Sequence, residues 1–191
     1  MGKVGIYSVS DNYISFLRSD PRLKNVFENK DPNYTYSRKY LGIVFSKSGF
    51  NYFIPFSSPK DSDYITSSSG ERKIRRSIIP IIRMTHKKGN IVELKGTLKL
   101  SNMIPIPETE LTPYDTSLET DASYRDLIYK EWSFITSNLT TILNYADVIY
   151  NQKTKQNILY AEMPAPNYLL STVDFLYAET KCQEYIDSHT K

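Results

Sequence analysis

The chain has very few of the side chains that enzymes most often use for metal or nucleophilic chemistry. Among its 191 residues there is one cysteine, Cys182, and there are two histidines, His86 and His189. One cysteine excludes an internal disulfide and a zinc site built from cysteines. Two histidines, one of them the third residue from the end, do not supply a metal-ligand set or a catalytic triad. Chemistry in this chain is therefore expected to rest on hydroxyls, amines and guanidiniums, with no cofactor.

Long apolar runs are also missing. No stretch approaches the roughly 18 consecutive apolar residues that a membrane span needs. The start, Met1-Gly2-Lys3-Val4, leads into a strand pattern without the apolar core of a signal peptide. A length of 191 residues fits one domain of about 100–200 residues. We therefore expect a single cytoplasmic domain over residues 1–191, with no membrane partner.

The net charge of +3 conceals a strong asymmetry. Residues 71–100 hold nine basic and two acidic residues, a net +7, whereas residues 101–191 hold six and thirteen, a net −7. Such a distribution indicates a face that binds a polyanion, although a basic loop that is merely solvated is the alternative. The 16 tyrosines suit stacking on bases as well as packing in a core. Tyr34, Tyr36 and Tyr64 are candidates for stacking because they lie in predicted loops near basic segments.

The hydrophobic pattern has period two in the first part of the chain and period 3.6 in the last part. Strands are predicted at 3–9, 40–45, 51–56, 78–84 and 91–94, and a short helix after Asp11-Asn12. Residues 61–77 are rich in serine and charge, which predicts a mobile or ligand-ordered loop. Helices are predicted over 122–150, with Thr120 or Asp121 as N-cap and Asn138 able to split the helix, and over about 168–188. The order predicts an α+β domain with a helical C-terminal half.

The most informative segment is residues 52–60, where an aromatic strand runs into the turn Ser57-Ser58-Pro59-Lys60. Pro59 fixes one backbone angle and stiffens the turn, so two hydroxyls and one amine can be held in a defined geometry. RNA can be cut without metal by its own 2′-hydroxyl if hydroxyls and cations are placed around one phosphate. A plain structural turn followed by a solvated lysine is the alternative.

Four segments in order carry a family resemblance. They are Tyr40-Leu41-Gly42-Ile43-Val44, Ser57-Ser58-Pro59-Lys60, Asn102-Met103-Ile104-Pro105-Ile106 and Tyr124-Arg125-Asp126-Leu127-Ile128-Tyr129-Lys130-Glu131. Their order and spacing resemble the ToxN/AbiQ family, the toxins of type III toxin–antitoxin systems. The resemblance implies a strongly twisted, barrel-like antiparallel β core wrapped by helices, similar to the MazF/Kid toxins. It also implies a metal-independent endoribonuclease that leaves a 2′,3′-cyclic phosphate.

The resemblance further implies which residues form the active site. The family's hydroxyl–serine–proline–lysine turn falls on Ser57, Ser58 and Lys60, and its preceding basic residue falls on Arg38 or on the adjacent Lys39. A tyrosine of the first helix falls on Tyr13, although its spacing with Phe16 and Leu17 is also that of a core residue. No metal site is expected.

The resemblance implies an RNA partner as well as an RNA substrate. The antitoxin would be a small repeat-derived pseudoknot RNA, alternating with the protein in a closed ring with few or no protein–protein contacts. The substrate would be cellular or phage mRNA, and the outcome growth arrest or abortive infection in a bacterium. The residues expected to bind RNA are basic ones: Lys39, Arg72, Lys73, Arg75, Arg76, Arg83, His86, Lys87 and Lys88.

Two other functions are compatible with the residues alone. The chain could be a non-catalytic RNA-binding module that uses the same basic face, with Ser57-Ser58-Pro59 serving only as a turn. It could also be a protein-interaction adaptor whose acidic helical half is the working surface. RNA cleavage with a chelator present separates the enzyme from the module, and salt-dependent RNA binding separates both from the adaptor.

Overall fold

The computed structural model describes residues 4–29 and 38–189. Within these residues the strands are β1 (Gly5–Val9), β2 (Tyr40–Lys47), β3 (Phe50–Ser57), β4 (Tyr64–Thr66), β5 (Arg72–Ile74), β6 (Ile81–Lys88), β7 (Ile91–Lys99), β8 (Ile104–Pro105) and β9 (Leu111–Pro113). The helices are α1 (Asp11–Arg18), α2 (Ala122–Thr154), α3 (Gln156–Leu159) and α4 (Phe175–His189). Strands fill the first part of the chain and helices the last, so the predicted α+β class is confirmed. No helix in the described ranges combines the length and the apolar composition that crossing a membrane requires.

The main sheet is antiparallel and open rather than closed into a barrel. Its order is β6-β7-β3-β2-β1-β9, and β8 also pairs with β3. Strand β3 pairs with β7 only through Phe56 and Ser57, whereas Tyr52 and Phe53 pair with β8. Because β3 changes partner along its length, the β6–β7 hairpin diverges from the rest of the sheet. Strands β6 and β9 stay as separate edges in the part of the chain that is described, so the predicted barrel closure is not found.

The two faces of β3 have different environments because successive side chains point to opposite sides of a strand. Tyr52 points toward the C-terminal helices, where its hydroxyl donates to Glu179 Oε1 at 2.8 Å and its ring packs edge-on against Phe175. Phe53 and Ser57 point the other way, and Phe53 meets the ring of Tyr7 on β1. The end of β3 therefore presents Ser57 on the face that does not carry Tyr52.

Helix α2 follows the sequence prediction closely. Asp121 is its N-cap and accepts hydrogen bonds from the backbone N–H groups of Ser123 and Tyr124, which satisfies two of the unpaired donors at a helix start. Asn138 has non-helical angles, φ −120° and ψ 15°, and its side chain donates to the carbonyl of Phe134. The predicted cap and the predicted break at Asn138 are both confirmed.

Glycine at position 96 leaves room for the side chain of Glu131 on α2 to lie against β7. A Cβ atom there would lie 2.1 Å from Oε1 of Glu131, far inside contact distance. Glu131 is buried, and burial raises the pKa of its carboxyl to about 8. The helix can therefore bring a carboxyl, protonated at neutral pH, against the backbone of β7.

Several predicted boundaries are wrong. Residues 61–77 are not a loop but contain the two-stranded ribbon β4–β5, in which Tyr64 lies opposite Ile74 and Thr66 opposite Arg72. Lys87 and Lys88 extend β6 instead of forming its turn, and only Gly89 and Asn90 form the turn. Helix α4 begins at Phe175 rather than near 168, because residues 167–170 form a 3-10 turn. His189 ends that helix with its ring stacked on Tyr185.

Candidate active site

The turn after β3 is held by a buried carboxylate. Asp63 Oδ2 accepts the backbone N–H of Lys60 at 3.0 Å, and the carbonyl of Lys60 accepts the N–H of Asp63 at 2.9 Å. Residues 61–63 form a 3-10 turn between these two bonds. Lys60 therefore has a fixed backbone although its side chain is exposed. The sequence analysis attributed the stiffness of the turn to Pro59 and did not identify the role of Asp63.

Asp63 is in turn fixed by Arg83 on β6. Asp63 Oδ1 and Arg83 Nη2 are 3.0 Å apart, and the two side chains are 2% and 6% exposed. Arg83 Nη1 also donates to the carbonyl of Arg76 at 2.7 Å, and the Asp63 carbonyl accepts the N–H of Arg75 at 2.9 Å. This ion pair connects the turn to β6 and to the ribbon β4–β5.

Arg83 was predicted to contact RNA, and the structure instead gives it a buried position inside the protein. Its side chain is engaged by Asp63 and by the Arg76 carbonyl, as described above. Its Nε has no hydrogen-bond partner within the described part of the chain. Because so little of Arg83 is exposed, its contribution to a site is to fix Asp63.

The two serines of the turn differ in exposure. Ser57 is half-buried, and its carbonyl accepts the hydroxyl of Thr97 on β7 at 3.3 Å. Ser58 is exposed, and its hydroxyl makes no hydrogen bond to the residues that are described. The Ser58 hydroxyl can therefore bond to a ligand without first breaking a bond to the protein.

The side chain of Arg38, and not that of Lys39, lies beside the turn. Arg38 Nη1 donates to the carbonyl of Phe56 at 2.6 Å, one residue before Ser57, and its Nε donates to the carbonyl of Glu28. Lys39 points to the opposite side, where its ammonium lies 3.0 Å from Ser8 Oγ and 4.5 Å from the centre of the Tyr114 ring. Burial lowers the pKa of Lys39. Of these two neighbours, the structure brings only Arg38 to Ser57.

Sequence reasoning missed Lys99, which lies at the end of β7. Lys99 is half-buried and lies opposite Ile81 of β6, next to the pairing of Thr97 with Ser57. Burial lowers the pKa of its ammonium; the Asp63 carboxylate raises it, and the nearby charges of Lys60 and Arg83 lower it. The alternation Thr97, Leu98, Lys99 is a strand signal that would have identified this position had the predicted strand not ended at residue 94.

Tyr13 lies in the core and not on an open surface. It is fully buried on α1, its hydroxyl donates to the carbonyl of Pro105 at 2.7 Å, and its ring packs against Tyr185. Burial raises the pKa of the Tyr13 hydroxyl well above its ordinary value. This position fits a core residue, as its helical spacing allowed, better than a catalytic one.

The other basic candidates form two exposed groups. On and beside the β4–β5 ribbon, Arg72 lies 3.0 Å from Asp61 and over the ring of Tyr64, while Lys73 pairs with Glu71. Arg75 and Arg76 follow β5 and are also exposed. The second group, at the far end of β6, consists of the half-buried His86 and the exposed Lys87 and Lys88. Tyr34 and Tyr36, proposed above for stacking, lie outside the described residues.

The groups around the turn are hydroxyls and cations. Over the described ranges, no three side chains of His, Cys, Asp or Glu come together as a metal site would require. The buried carboxylate at the turn, Asp63, is already bonded on both oxygens. Hydroxyls and cations at one end of an antiparallel sheet are the groups with which an α+β protein would hold a phosphodiester.

Comparison with known proteins identifies the family to which the chain belongs. A family model described as "Toxin ToxN, type III toxin-antitoxin system" matches residues 5–183. The endoribonuclease AbiQ of Lactococcus lactis subsp. lactis is 29% identical over 96% of this chain and 90% of its own length. The endoribonuclease ToxN of Bacillus thuringiensis subsp. kurstaki is 28% identical over 94% of this chain and 82% of its own length. The chain therefore belongs to the ToxN family of toxins of type III toxin–antitoxin systems.

Solved structures show the same fold. One was solved in work on selective toxin inhibition by a non-coding RNA pseudoknot in bacterial type III toxin–antitoxin systems. It matches with a TM-score of 0.74 and 26% identity, over 96% of this chain and 98% of that chain. Another is AbiQ, described as a lactococcal anti-phage endoribonuclease, with a TM-score of 0.73, 25% identity, and coverage of 97% and 99%. The resemblance inferred from four short segments thus extends over almost the whole chain.

Proposed function

We propose that this chain is a metal-independent endoribonuclease toxin that is inhibited by a small structured RNA. The observation that carries the proposal is the turn after β3. The turn is fixed by the buried Asp63–Arg83 pair, and it presents Ser58 and Lys60 next to Arg38. A turn that served only to reverse the chain would not need a buried ion pair to fix the residues that bear its hydroxyl and its amine.

The proposed reaction is an internal transesterification that consumes neither water nor a cofactor. The substrate's 2′-oxygen attacks phosphorus, the bond from phosphorus to the 5′-oxygen breaks, and a 2′,3′-cyclic phosphate forms. The proton lost by the 2′-hydroxyl is balanced by one gained by the departing 5′-oxygen. Lys60 and Arg38 would offset the charge that develops on the phosphate oxygens, and the Ser58 and Ser57 hydroxyls would orient them by hydrogen bonds. This donor set supports metal independence, since hard cations prefer carboxylate and carbonyl oxygens.

The partner and the cellular role come from the relatives. A repeat-derived pseudoknot RNA would inhibit the enzyme, and protein and RNA would alternate in a closed ring with few or no protein–protein contacts. We propose growth arrest, abortive phage infection and cytoplasmic action on mRNA as the cellular role. We further propose that residues 1–191 form one domain and that the sheet is related to that of the MazF/Kid toxins.

The experiment that tests the function is cleavage of total bacterial RNA by the purified protein in excess EDTA. Discrete new RNA ends that appear with wild type and disappear when a repeat-derived antitoxin RNA is added support the proposal. Salt-dependent RNA binding without cleavage would indicate the non-catalytic RNA-binding module instead. Neither binding nor cleavage would favour the adaptor.

The basic ribbon offers a separate test of RNA binding. Replacing Arg72, Lys73, Arg75 and Arg76 with alanine should weaken antitoxin binding and flatten its dependence on salt, because cations that bind phosphates release counterions. Each lost contact between a basic side chain and a phosphate reduces the magnitude of the slope of log affinity against log salt by about 0.7–0.9. The four side chains are exposed, and the backbone bonds from Arg75 to Asp63 and from Arg83 to Arg76 do not involve them.

The control for this variant is Lys155→Ala, an exposed lysine at the end of α2. Filter binding over a salt series should give the wild-type slope for the control and a smaller slope for the ribbon variant. If the ribbon serves the antitoxin more than the substrate, the variant stays toxic and becomes harder to neutralise. Equal slopes for the variant and wild type would show that the ribbon is not part of the RNA interface.

A further inference from the structure

Lys99 shares one face of the sheet with the residues of the turn. Side chains directly opposite each other in an antiparallel pair lie on the same face, as do side chains two positions apart on one strand. Ser57 and Arg83 both lie opposite Thr97, one on each side of β7. Lys99 is two residues beyond Thr97. The ammonium therefore extends from the same face that carries Ser57 and the buried pair.

The Lys99 ammonium has no hydrogen bond or ion pair with any residue of the described ranges. It is also half-buried, so it has lost part of its hydration without gaining a hydrogen-bond or ion-pair partner among the described residues. The carboxylate that lies near it is Asp63, whose two oxygens are taken by Arg83 and by the N–H of Lys60. An ammonium in this position is a donor that still lacks its acceptor.

The charges around Lys99 are mostly of its own sign. Among the described residues, the groups close enough to affect it are Asp63, Lys60, Arg83 and Arg38. With Lys99 itself these are four cations and one carboxylate, a local net charge of +3. Like charges repel, so the arrangement costs stability unless an anion is bound among them. Arg83 Nε, which also has no partner in the described part of the chain, is a further donor without an acceptor.

We propose that the ammonium of Lys99 binds the phosphate that is being cleaved, below the Ser57–Lys60 turn. This inference rests on the proposed ribonuclease function and adds a phosphate-binding residue to it. Lys60 approaches the phosphate from the exposed turn, and Lys99 approaches the same group from the sheet. The two ammonium groups together hold the non-bridging oxygens while the 5′-oxygen departs.

The titration of Lys99 agrees with this geometry. Burial lowers the pKa of Lys99, the Asp63 carboxylate raises it, and the neighbouring cations lower it. A bound phosphate adds negative charge next to the ammonium and restores the charged form. Binding of an RNA phosphate therefore reduces the repulsion among these cations.

The test compares Lys99→Met, which keeps the aliphatic stem, with Lys99→Arg, which keeps the charge. A short RNA containing the strongest cleavage site of the wild-type protein is used in single-turnover reactions. Lys99→Met should cleave about 10²-fold more slowly, as is typical for loss of one donor to a developing charge, and Lys99→Arg should recover most of that loss. Lys95→Met is the matched control, because Lys95 lies on the same strand and its ammonium is already paired with Glu93.

Two further measurements separate phosphate binding from a structural role. Lys99→Met should unfold at the wild-type temperature or higher, since it removes a desolvated charge that has no partner. The same RNA can be made uncleavable by 2′-deoxy substitution at the cleaved nucleotide. For its binding to Lys99→Met, the slope of log affinity against log salt should be smaller in magnitude by about 0.7 than for wild type. Lys99→Arg should keep the full slope.

The outcomes distinguish this proposal from the function on which it rests. If Lys99→Met cleaves at the wild-type rate while Ser58→Ala is inactive, only the role of Lys99 fails. If Lys99→Met and Lys99→Arg are equally slow and both unfold at lower temperature, Lys99 is structural and the proposal is again overturned. If wild type does not cleave RNA at all, the proposed function itself fails.

Discussion

Replacing Ser58 with alanine should abolish RNA cleavage and growth arrest while leaving the fold and the RNA affinity nearly unchanged. Ser58 is exposed, and its hydroxyl makes no hydrogen bond within the described residues, so its removal costs the folded state little. One hydroxyl is also a small part of a charged interface in which affinity comes mainly from cations. Its loss should therefore reduce cleavage, by about 10²–10³ or more, rather than binding.

The measurement pairs single-turnover cleavage with RNA affinity and unfolding temperature. Ser62→Ala is the matched control, because Ser62 is exposed in the adjoining 3-10 turn and loses the same atom. Wild-type cleavage by the control and none by Ser58→Ala would identify the hydroxyl as part of the reaction. Full toxicity of Ser58→Ala would show that residues 57–60 serve only as a structural turn.

Replacing Asp63 with asparagine should be the most destabilising single change at this site. The substitution leaves the guanidinium of Arg83 buried without a counter-charge, and breaking one side of a buried pair typically costs about 3–5 kcal/mol. The backbone of Lys60 also loses a charged acceptor, so cleavage should fall together with stability. Urea unfolding followed by tryptophan fluorescence would measure the free energy of unfolding.

Asp61→Asn is the matched control for this prediction. Asp61 is two residues away and also pairs with an arginine, Arg72, but its side chain is fully exposed. Exposed ion pairs contribute about 0–1 kcal/mol, so the control should unfold almost as wild type does. Adding Arg83→Met to Asp63→Asn should recover part of the lost stability, because no unpaired charge then stays buried. Equal effects of Asp61→Asn and Asp63→Asn would show that burial of the pair does not fix the turn.

The sequence predicts those parts of the fold that depend on neighbouring residues. The cap at Asp121 and the break at Asn138 each follow from a few adjacent positions. The location of the Ser57–Lys60 turn was predicted in the same way. These features are set by local backbone preferences and by the period of the hydrophobic pattern.

The rest of the site depends on contacts between residues that are distant in the chain. Asp63 and Arg83 are twenty positions apart, and nothing in either neighbourhood shows that they form a buried pair. Lys99 reaches the site only through the register of β7 with β3. A lysine, an arginine and an aspartate in charged segments are typical of a protein surface, because burial is decided by the whole sheet.

The ribbon β4–β5 was also not predicted from the sequence, because it depends on pairing between two very short strands. Each strand has only three residues, and Ser67, Ser69 and Gly70 between them have the composition of a loop. The strands are specified by their pairing with each other and by the bond from Arg75 to the Asp63 carbonyl. Propensity over three residues is too weak to predict such a pair.

The most direct test of the central claim is the chemistry of the RNA ends that the purified protein leaves in excess EDTA. Attack by the substrate's own 2′-oxygen predicts a 2′,3′-cyclic phosphate on one product and a 5′-hydroxyl on the other. Mass spectrometry of a cleaved oligonucleotide, with Ser58→Ala run beside wild type, detects both ends at once. Cyclic phosphate ends from wild type and intact RNA from the variant are the predicted result. A strict requirement for Mg²⁺, or products with 5′-phosphate ends, would contradict it.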